Sequence, residues 1–283
     1  MFRYRLLACL LALLAVASLR PPSAHGQAFS DAAGEYPKRQ VLHDVGGTAR
    51  GIVVDLGYVV SSPARMHPRD ALVTAAVAGA TWAVYNNDQA ILDAFQRNQG
   101  NRIYDAIVEP GRHLENVGLM GRTNPYYFGA LVIGYATNVR PLREIPAEIL
   151  ESHAIAGGIR NGLKTLVGRH HPEHGDGPYS FDFAHGTSFP SGHSSVQFEL
   201  ATILSHHTRW VPIKVVWYGL ATSATLQRID ARAHWPSDVL PAAVMGHLVA
   251  RTVCGRHDQR MGEGRHMLGI APMPGGAAVT FAF

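Results

Sequence analysis

From about Pro68 onward, apolar residues recur along the chain at helical spacing; before that they do not. Ala71 to Tyr85 is an Ala/Val-rich stretch of helix length, with Asp70 placed to cap it. Asp88 to Gln99 and Asn101 to Val117 carry apolar positions every three to four residues. Asn124-Pro125 offers a start for a helix reaching about Thr137. Pro146, suited to a first helical turn, opens a longer one ending near Val167. Helices at His193 to His206, Val211 to Arg228 and Pro236 to Val253 complete the set. The expectation is an all-α protein with a single helical-bundle domain over residues 68–255. Residues 27–67 read as an irregular lead-in with one short element around Ile52 to Val60. Residues 256–283 read as a tail, and its alternating end, Ala277 to Phe283, suits a terminal strand or a membrane-touching segment.

The first residues follow a different rule. Arg3 and Arg5 precede an apolar run from Leu6 to Leu19, and Ala24-His25-Gly26 supplies small residues at cleavage spacing. Residues 1–26 therefore read as a signal peptide, and the protein as exported, to the periplasm or beyond. The run is shorter than the ~20 residues of a membrane span, which disfavours an uncleaved anchor.

Composition narrows the picture further. Hydrophobic residues make up 47% of the 283 and charged residues 16%, which suits a packed domain, neither a disordered chain nor a coiled coil. Cys9 and Cys254 are the only cysteines, so a disulfide framework and a four-cysteine zinc module are excluded. Loss of residues 1–26 takes Arg3, Arg5 and Arg20, so Lys+Arg falls from 25 by three to 22 against 21 Asp+Glu, and the formal charge falls from +4 to +1. No basic run or aromatic-interleaved stripe remains, and no nucleic-acid partner is expected. The charge-free runs are short, and Trp210 to Gln227 contains Lys214, so the helices read as core helices of a bundle.

Three clusters carry chemistry. Lys164 to Pro172 closes a long helix, Pro190-Ser191-Gly192-His193 opens the next, and Arg228 to Asp238 joins two more. Between the first two lies a loop from Gly168 to Pro190, rich in Gly, Pro, His and Asp, of a length that in compact domains usually serves binding or catalysis. A helix start at Ser191-Gly192-His193 aims unpaired backbone N–H groups and a positive dipole end at an anion. Lys164 and Arg228 add full charges, Arg228 with a two-pronged fork for phosphate oxygens. His193 could donate a proton beside that anion. Pro236 places His234 just before a helix and Asp238 in its first turn, where the carboxylate could fix one ring nitrogen and leave the other to attack. That is the logic of a catalytic triad.

In order and spacing these residues resemble the signature of the type 2 phosphatidic acid phosphatase and vanadium haloperoxidase superfamily: Lys-x6-Arg-Pro, Pro-Ser-Gly-His, and Ser-Arg-x5-His-x3-Asp. Lys164, Pro172, Pro190 to His193, Arg228, His234 and Asp238 match, over roughly residues 140–250. The resemblance implies the all-α bundle of that superfamily and a metal-independent phosphatase with a phosphohistidine intermediate. By position, His234 would be the nucleophile, Asp238 its orienting group and His193 the proton donor. Lys164, Arg228, Ser191 and Gly192 would hold the phosphoryl oxygens. Two positions depart: His171 stands where the pattern has Arg, and Gln227 where it usually has Ser. Either His171 itself or Arg169, brought round by an unwound helix end, could take the place of that arginine.

No cofactor is expected, although vanadate could occupy the phosphate site. The group His170-His171-His174 invites a metal, but with no acidic or cysteine companion at ligand spacing none is expected. Ser191 invites a serine hydrolase, but no nucleophile elbow surrounds it, since Gly186-Thr-Ser188-Phe-Pro190 lacks the second glycine. Asp230 and Arg232 read as solvated loop charges, Trp235 as core, and His170, His174, His206, His207, His247 and His257 as structural or solvent-facing. The implied partner is a phosphorylated small molecule or a lipid phosphate, the latter met at a membrane surface. Two alternatives share the residues: a vanadate-dependent haloperoxidase, disfavoured by the short chain, and a non-catalytic phosphate binder.

Overall fold

A computed structural model describes residues 50–260 together with 269–273 and 276–280. The signal segment and the lead-in up to residue 49 lie outside the described residues. The helices are α1 over 50–60, α2 (Pro68–Tyr85), α3 (Asp88–Asn98), α4 (Arg102–His113), α5 (Met120–Thr137), α6 (Arg140–Val167), α7 (Gly192–His206), α8 (Val211–Asp230) and α9 (Pro236–Arg260). Short 3-10 turns span Ser62–Arg65, Glu115–Gly118 and Pro172–His174. Strands β1 (Gly269–Met273) and β2 (Gly276–Thr280) form an antiparallel hairpin, so the tail takes the strand alternative over 276–280. The fold is helical, as the periodicity predicts.

Local chemistry explains most boundaries. Ser191 caps α7, its hydroxyl accepting from the Ser194 N–H at 3.4 Å. Gly168 ends α6 at φ +62°, a conformation that suits glycine. Three starts differ from expectation. His67, and not Asp70, caps α2, with Asp70 returning the reciprocal bond of a capping box. α6 begins at Arg140 because Pro141 already meets the first-turn requirement, and Pro146 rides inside the helix. α5 likewise begins at Met120 with Pro125 inside it. At the other end α9 runs on to Arg260.

The core is built by α6, α7 and α9. Ile145, Ile149, Val196, Leu200, Ile203, Ala250 and Cys254 form one buried cluster, and Ile155, Ala156, Val249 and Val253 form another. A third, Leu92, Ile229, Trp235 and Val239, ties α3 to the junction of α8 and α9. α8 packs on α7 and α4, and α5 on α6. α2 departs from the core helix expected for it, since it has no buried residue at all. No helix among the described residues is long and apolar enough to cross a membrane.

Candidate active site

The loop from Gly168 to Pro190 folds back on its own base. Asp182 N–H bonds to Gly168 O at 2.6 Å, His170 N–H to Ser180 O at 3.0 Å and Ser188 N–H to Arg169 O at 2.9 Å. This crossing needs glycine: a Cβ on Gly168 would stand 2.1 Å from Asp182 O, and one on Gly186 2.0 Å from Gly168 O. Ser191 N–H then bonds to Asp238 O at 3.1 Å, lacing the second cluster to the third. At the end of α8, the Ala233 and His234 N–H groups both return to Arg228 O. All three clusters are thereby drawn to one place.

There the side chains converge. Lys164, Arg228, Arg160 and His234 all lie close enough to act electrostatically on His193. The His171 ring is centred 5.0 Å from that of His234. Both His171 nitrogens are engaged, Nδ1 with Ala233 O at 2.5 Å and Nε2 with Thr187 Oγ1 at 3.1 Å. Lys164 Nζ donates to Thr187 O. Arg228 donates through both terminal nitrogens to Glu115 Oε1 at 3.2 Å, while its buried Nε makes no hydrogen bond among the described residues. His193 Nε2 is likewise buried with no such bond. Unmatched donors and cations around the first turn of α7 are what an anion would satisfy.

The electrostatics agree with that picture. Burial, then Arg228, His234, Lys164 and Arg160, push His193 down to about 3. Burial and Arg160, opposed by Asp238, bring Lys164 down to about 8. Burial lowers His234 against the pull of Asp238. Burial alone would raise the Asp238 carboxyl, but His234, Arg169 and Ser188 hold it below the usual carboxylate range.

The His234–Asp238 contact is less direct than the spacing suggests. His234 Nδ1 stands 3.8 Å from Asp238 Oδ2, beyond hydrogen-bond reach. Ser188 Oγ sits beside both, donating to Asp238 Oδ2 at 2.5 Å and lying 3.5 Å from His234 Nδ1. Trp235 N–H adds a further bond to Asp238 Oδ2 at 3.0 Å. The Nδ1 edge of His234 thus faces the interior, which leaves Nε2 as the nitrogen for a substrate.

Arg169 does not replace the missing family arginine. It is 2% exposed, and all five of its N–H donors are committed. Nη1 bonds Ser237 Oγ and Asp238 Oδ1, Nη2 bonds Asp88 Oδ2 and Pro178 O, and Nε bonds Pro178 O. Instead of binding phosphate, it holds Asp238. Ser191 is fully buried at the helix cap, where Ser194 Oγ lies 3.0 Å from its hydroxyl. Asp230 is no solvated loop charge: it is buried and accepts from Tyr104, Gln99 and Arg112. Trp235 is buried, with Nε1 donating to His170 O at 2.9 Å. Gln227 is buried as well.

Several neighbours of the site were invisible in the spacing. Glu115 and Gly118 come from the 3-10 turn after α4, and a Cβ on Gly118 would meet His193 Cδ2 at 2.4 Å. Asp88, at the start of α3, pairs with Arg169. Arg160, one helical turn before Lys164, packs its Nε 3.6 Å from where a Gly192 side chain would begin. Only the last had a signal in sequence, as a cation on the Lys164 face of α6.

The PAP2 superfamily profile matches residues 146–261, a span that takes in Lys164, Pro190 to His193, Arg228, His234 and Asp238. Over that span the chain is similar to the PAP2 superfamily. A curated protein similar to this chain, named lipid A 1-phosphatase, from Porphyromonas gingivalis, is 35% identical over 98 residues, which is 34% of this chain and 20% of that protein. The match therefore spans about a fifth of the relative's length. A crystal structure of LpxE from Aquifex aeolicus is similar at 22% identity and a TM-score of 0.45, over 59% of this chain and 93% of that one.

Proposed function

We propose that the protein is a phosphatase that hydrolyses phosphate monoesters, lipid phosphates foremost, through a phosphohistidine at His234. The observation that carries this reading is the meeting of Lys164, Arg228 and His234 around His193 in the first turn of α7, with the Nδ1 edge of His234 turned to Ser188 and Asp238.

In this reading the phosphoryl group sits at the first turn of α7, held by Lys164, Arg228 and the Gly192 backbone. His234 Nε2 attacks phosphorus; the bond from phosphorus to the ester oxygen breaks, and that oxygen takes a proton from His193. In the empty pocket burial and the surrounding cations keep His193 unprotonated near neutral pH. A bound anion cancels the cationic part of that effect and makes His193 a competent donor. Water, activated by His193, then cleaves the phosphorus–nitrogen bond. Asp238 and Ser188 stabilise the charge that His234 carries between the two steps. The hydrolytic steps use side chains alone, and vanadate, as a phosphate mimic, should inhibit.

Lipid phosphate is favoured by two things. The curated relative is named for a lipid substrate. The outer faces of α2, α5 and α8 also expose large apolar residues, among them Leu72, Trp82, Phe128, Val132 and Val215, which suits an encounter with a lipid surface. The N-terminal sequence, which reads as a signal peptide, supports a location outside the cytoplasm.

Phosphate release should be measured from detergent-dispersed lipid phosphates and from soluble esters, with EDTA present. His234→Ala should lower turnover by about a thousandfold or more, and an alkaline quench should preserve a phosphoenzyme that an acid quench destroys. Unchanged turnover in His234→Ala would overturn the mechanism. A preference for soluble esters would overturn the lipid assignment.

A further inference from the structure

The loop that closes over the site holds a second constellation that the reaction does not use. His170, His174 and Asp176 each present one donor atom, and the three atoms lie within 4.8 Å of one another. The acidic companion that the sequence reading found lacking beside His170 and His174 is therefore Asp176.

Local backbone chemistry brings them together. Pro172 to His174 forms a 3-10 turn, with His174 N–H bonded to His171 O at 3.1 Å and Gly175 N–H to Pro172 O at 3.2 Å. The turn carries the His174 ring back to 5.5 Å from that of His170. Gly175, at φ +80°, then reverses the chain and returns Asp176 Oδ2 to 2.9 Å from His170 Nδ1. His170 itself is fixed from three sides: its N–H bonds Ser180 O, its carbonyl accepts from Trp235 Nε1, and Ser180 Oγ lies 3.1 Å from Nδ1.

We infer that His170, His174 and Asp176 form a site for a divalent transition-metal ion of the zinc class at the rim of the phosphate pocket. Two imidazoles and one carboxylate select zinc, copper or nickel over magnesium and calcium, which prefer all-oxygen shells. Tetrahedral zinc with bonds near 2.1 Å needs donor atoms about 3.4 Å apart, and the exposed side chains of His174 and Asp176 close the remaining gap by rotation. His170 is the preorganised ligand, and the fourth position stays open to water. One carboxylate leaves the loaded site with a net positive charge. That charge would sit beside His171, whose ring is centred 6.1 Å from His174 and which stands where the family pattern has arginine. A bound ion would thus put back a fixed positive charge that the substitution of that arginine removed.

The test is zinc titration of the full, metal-stripped protein, without a histidine tag, by calorimetry. One zinc per chain should bind, and His174→Ala and Asp176→Ala should each weaken it by about tenfold or more. His185→Ala, at an exposed histidine of the same loop that pairs with Asp182, should leave it unchanged. Both ligand positions are exposed, so these variants should keep their melting temperature. Equal zinc affinity in wild type and both ligand variants, or no binding at micromolar zinc, overturns the site. The charge at the rim, which rests on the phosphatase reading, is tested separately: zinc should lower KM severalfold in wild type and not in His174→Ala. An unmoved KM with zinc bound overturns that role, whereas absence of turnover in every form would count against the phosphatase reading and leave the titration to decide the site.

Discussion

α2 and α7 have opposite fates, and not those their composition suggests. From Ala71 to Tyr85, α2 carries no charged residue, yet none of its residues is buried and Leu72 is 72% exposed. α7 buries Ser194, Ser195, Gln197, Glu199, Thr202 and Ser205 among its apolar residues. The interior beneath the site is therefore strongly polar, while some of the most apolar helix surface faces outward. Burial follows what each helix must hold in place. α7 lines the site, and its central carboxylate is tolerated inside because partners satisfy it: Glu199 accepts from Ser195 at 2.7 Å and from Ser152 at 3.1 Å. α2 packs mainly against α9 and leaves its apolar surface to the surroundings.

The largest expected contrast is between Arg169→Ala and Leu72→Ala. Removing Arg169 leaves Asp88 and Asp238 buried without their cation, at a cost of about 3–5 kcal/mol. Leu72→Ala, on the exposed face of α2, should change stability by no more than about 0.5 kcal/mol. Urea unfolding of both variants checks this, and a comparable loss at Leu72 would mean that α2 is packed in solution.

A smaller effect is expected one shell closer to the chemistry. Ser188→Ala removes the hydroxyl beside Asp238 and His234 and should lower kcat by about ten- to a hundredfold, the worth of one hydrogen bond to a charged group. KM should hold, and Ser188→Thr should restore part of the loss. A fall in KM and kcat together, unrelieved by threonine, would point to a general loss of packing instead.

The smallest effect is in the pH dependence of stability. Burial pushes the Glu199 carboxyl up to about 7, so the folded state keeps a proton that the unfolded chain gives up nearer its ordinary value. The contribution is full below about 4.5 and is lost as pH rises to about 7. Burial holds His153 and His193 down to about 3, and their contribution runs the other way, lost as pH falls below about 6.5. Glu199→Gln should remove only the first component. The melting temperature of the variant relative to wild type should therefore rise between pH 4.5 and 7, and a flat difference would show that Glu199 is ionised throughout.

Much of this was readable before any coordinates. The helices announce themselves by period, and the residues from Pro190 to His193 and from Arg228 to Asp238 by spacing, because both depend on contacts a few residues apart. What escaped depends on contacts across the fold. Arg169 looked like a spare phosphate ligand until Asp88, 81 residues away, was seen to share it. Asp230 looked solvated because Tyr104 and Arg112 come from α4. The apolar run of α2 looked like core because sequence shows hydrophobicity and not what covers it. Ser188 carries no signal in sequence because its role needs His234 and Asp238 in place.

The pairing of Glu115 with Arg228 has a consequence for turnover. With no substrate bound, the guanidinium is already occupied by a carboxylate, a resident decoy supplied by the protein itself. On the proposed reading, an incoming phosphate would have to compete with it, and its return would help a departing one off. Because the Glu115 side chain is half exposed, it can swing to solvent at little expense and wait there. On that reading such a decoy would lower affinity for substrate and product alike, and would keep a site this rich in cations from clinging to inorganic phosphate.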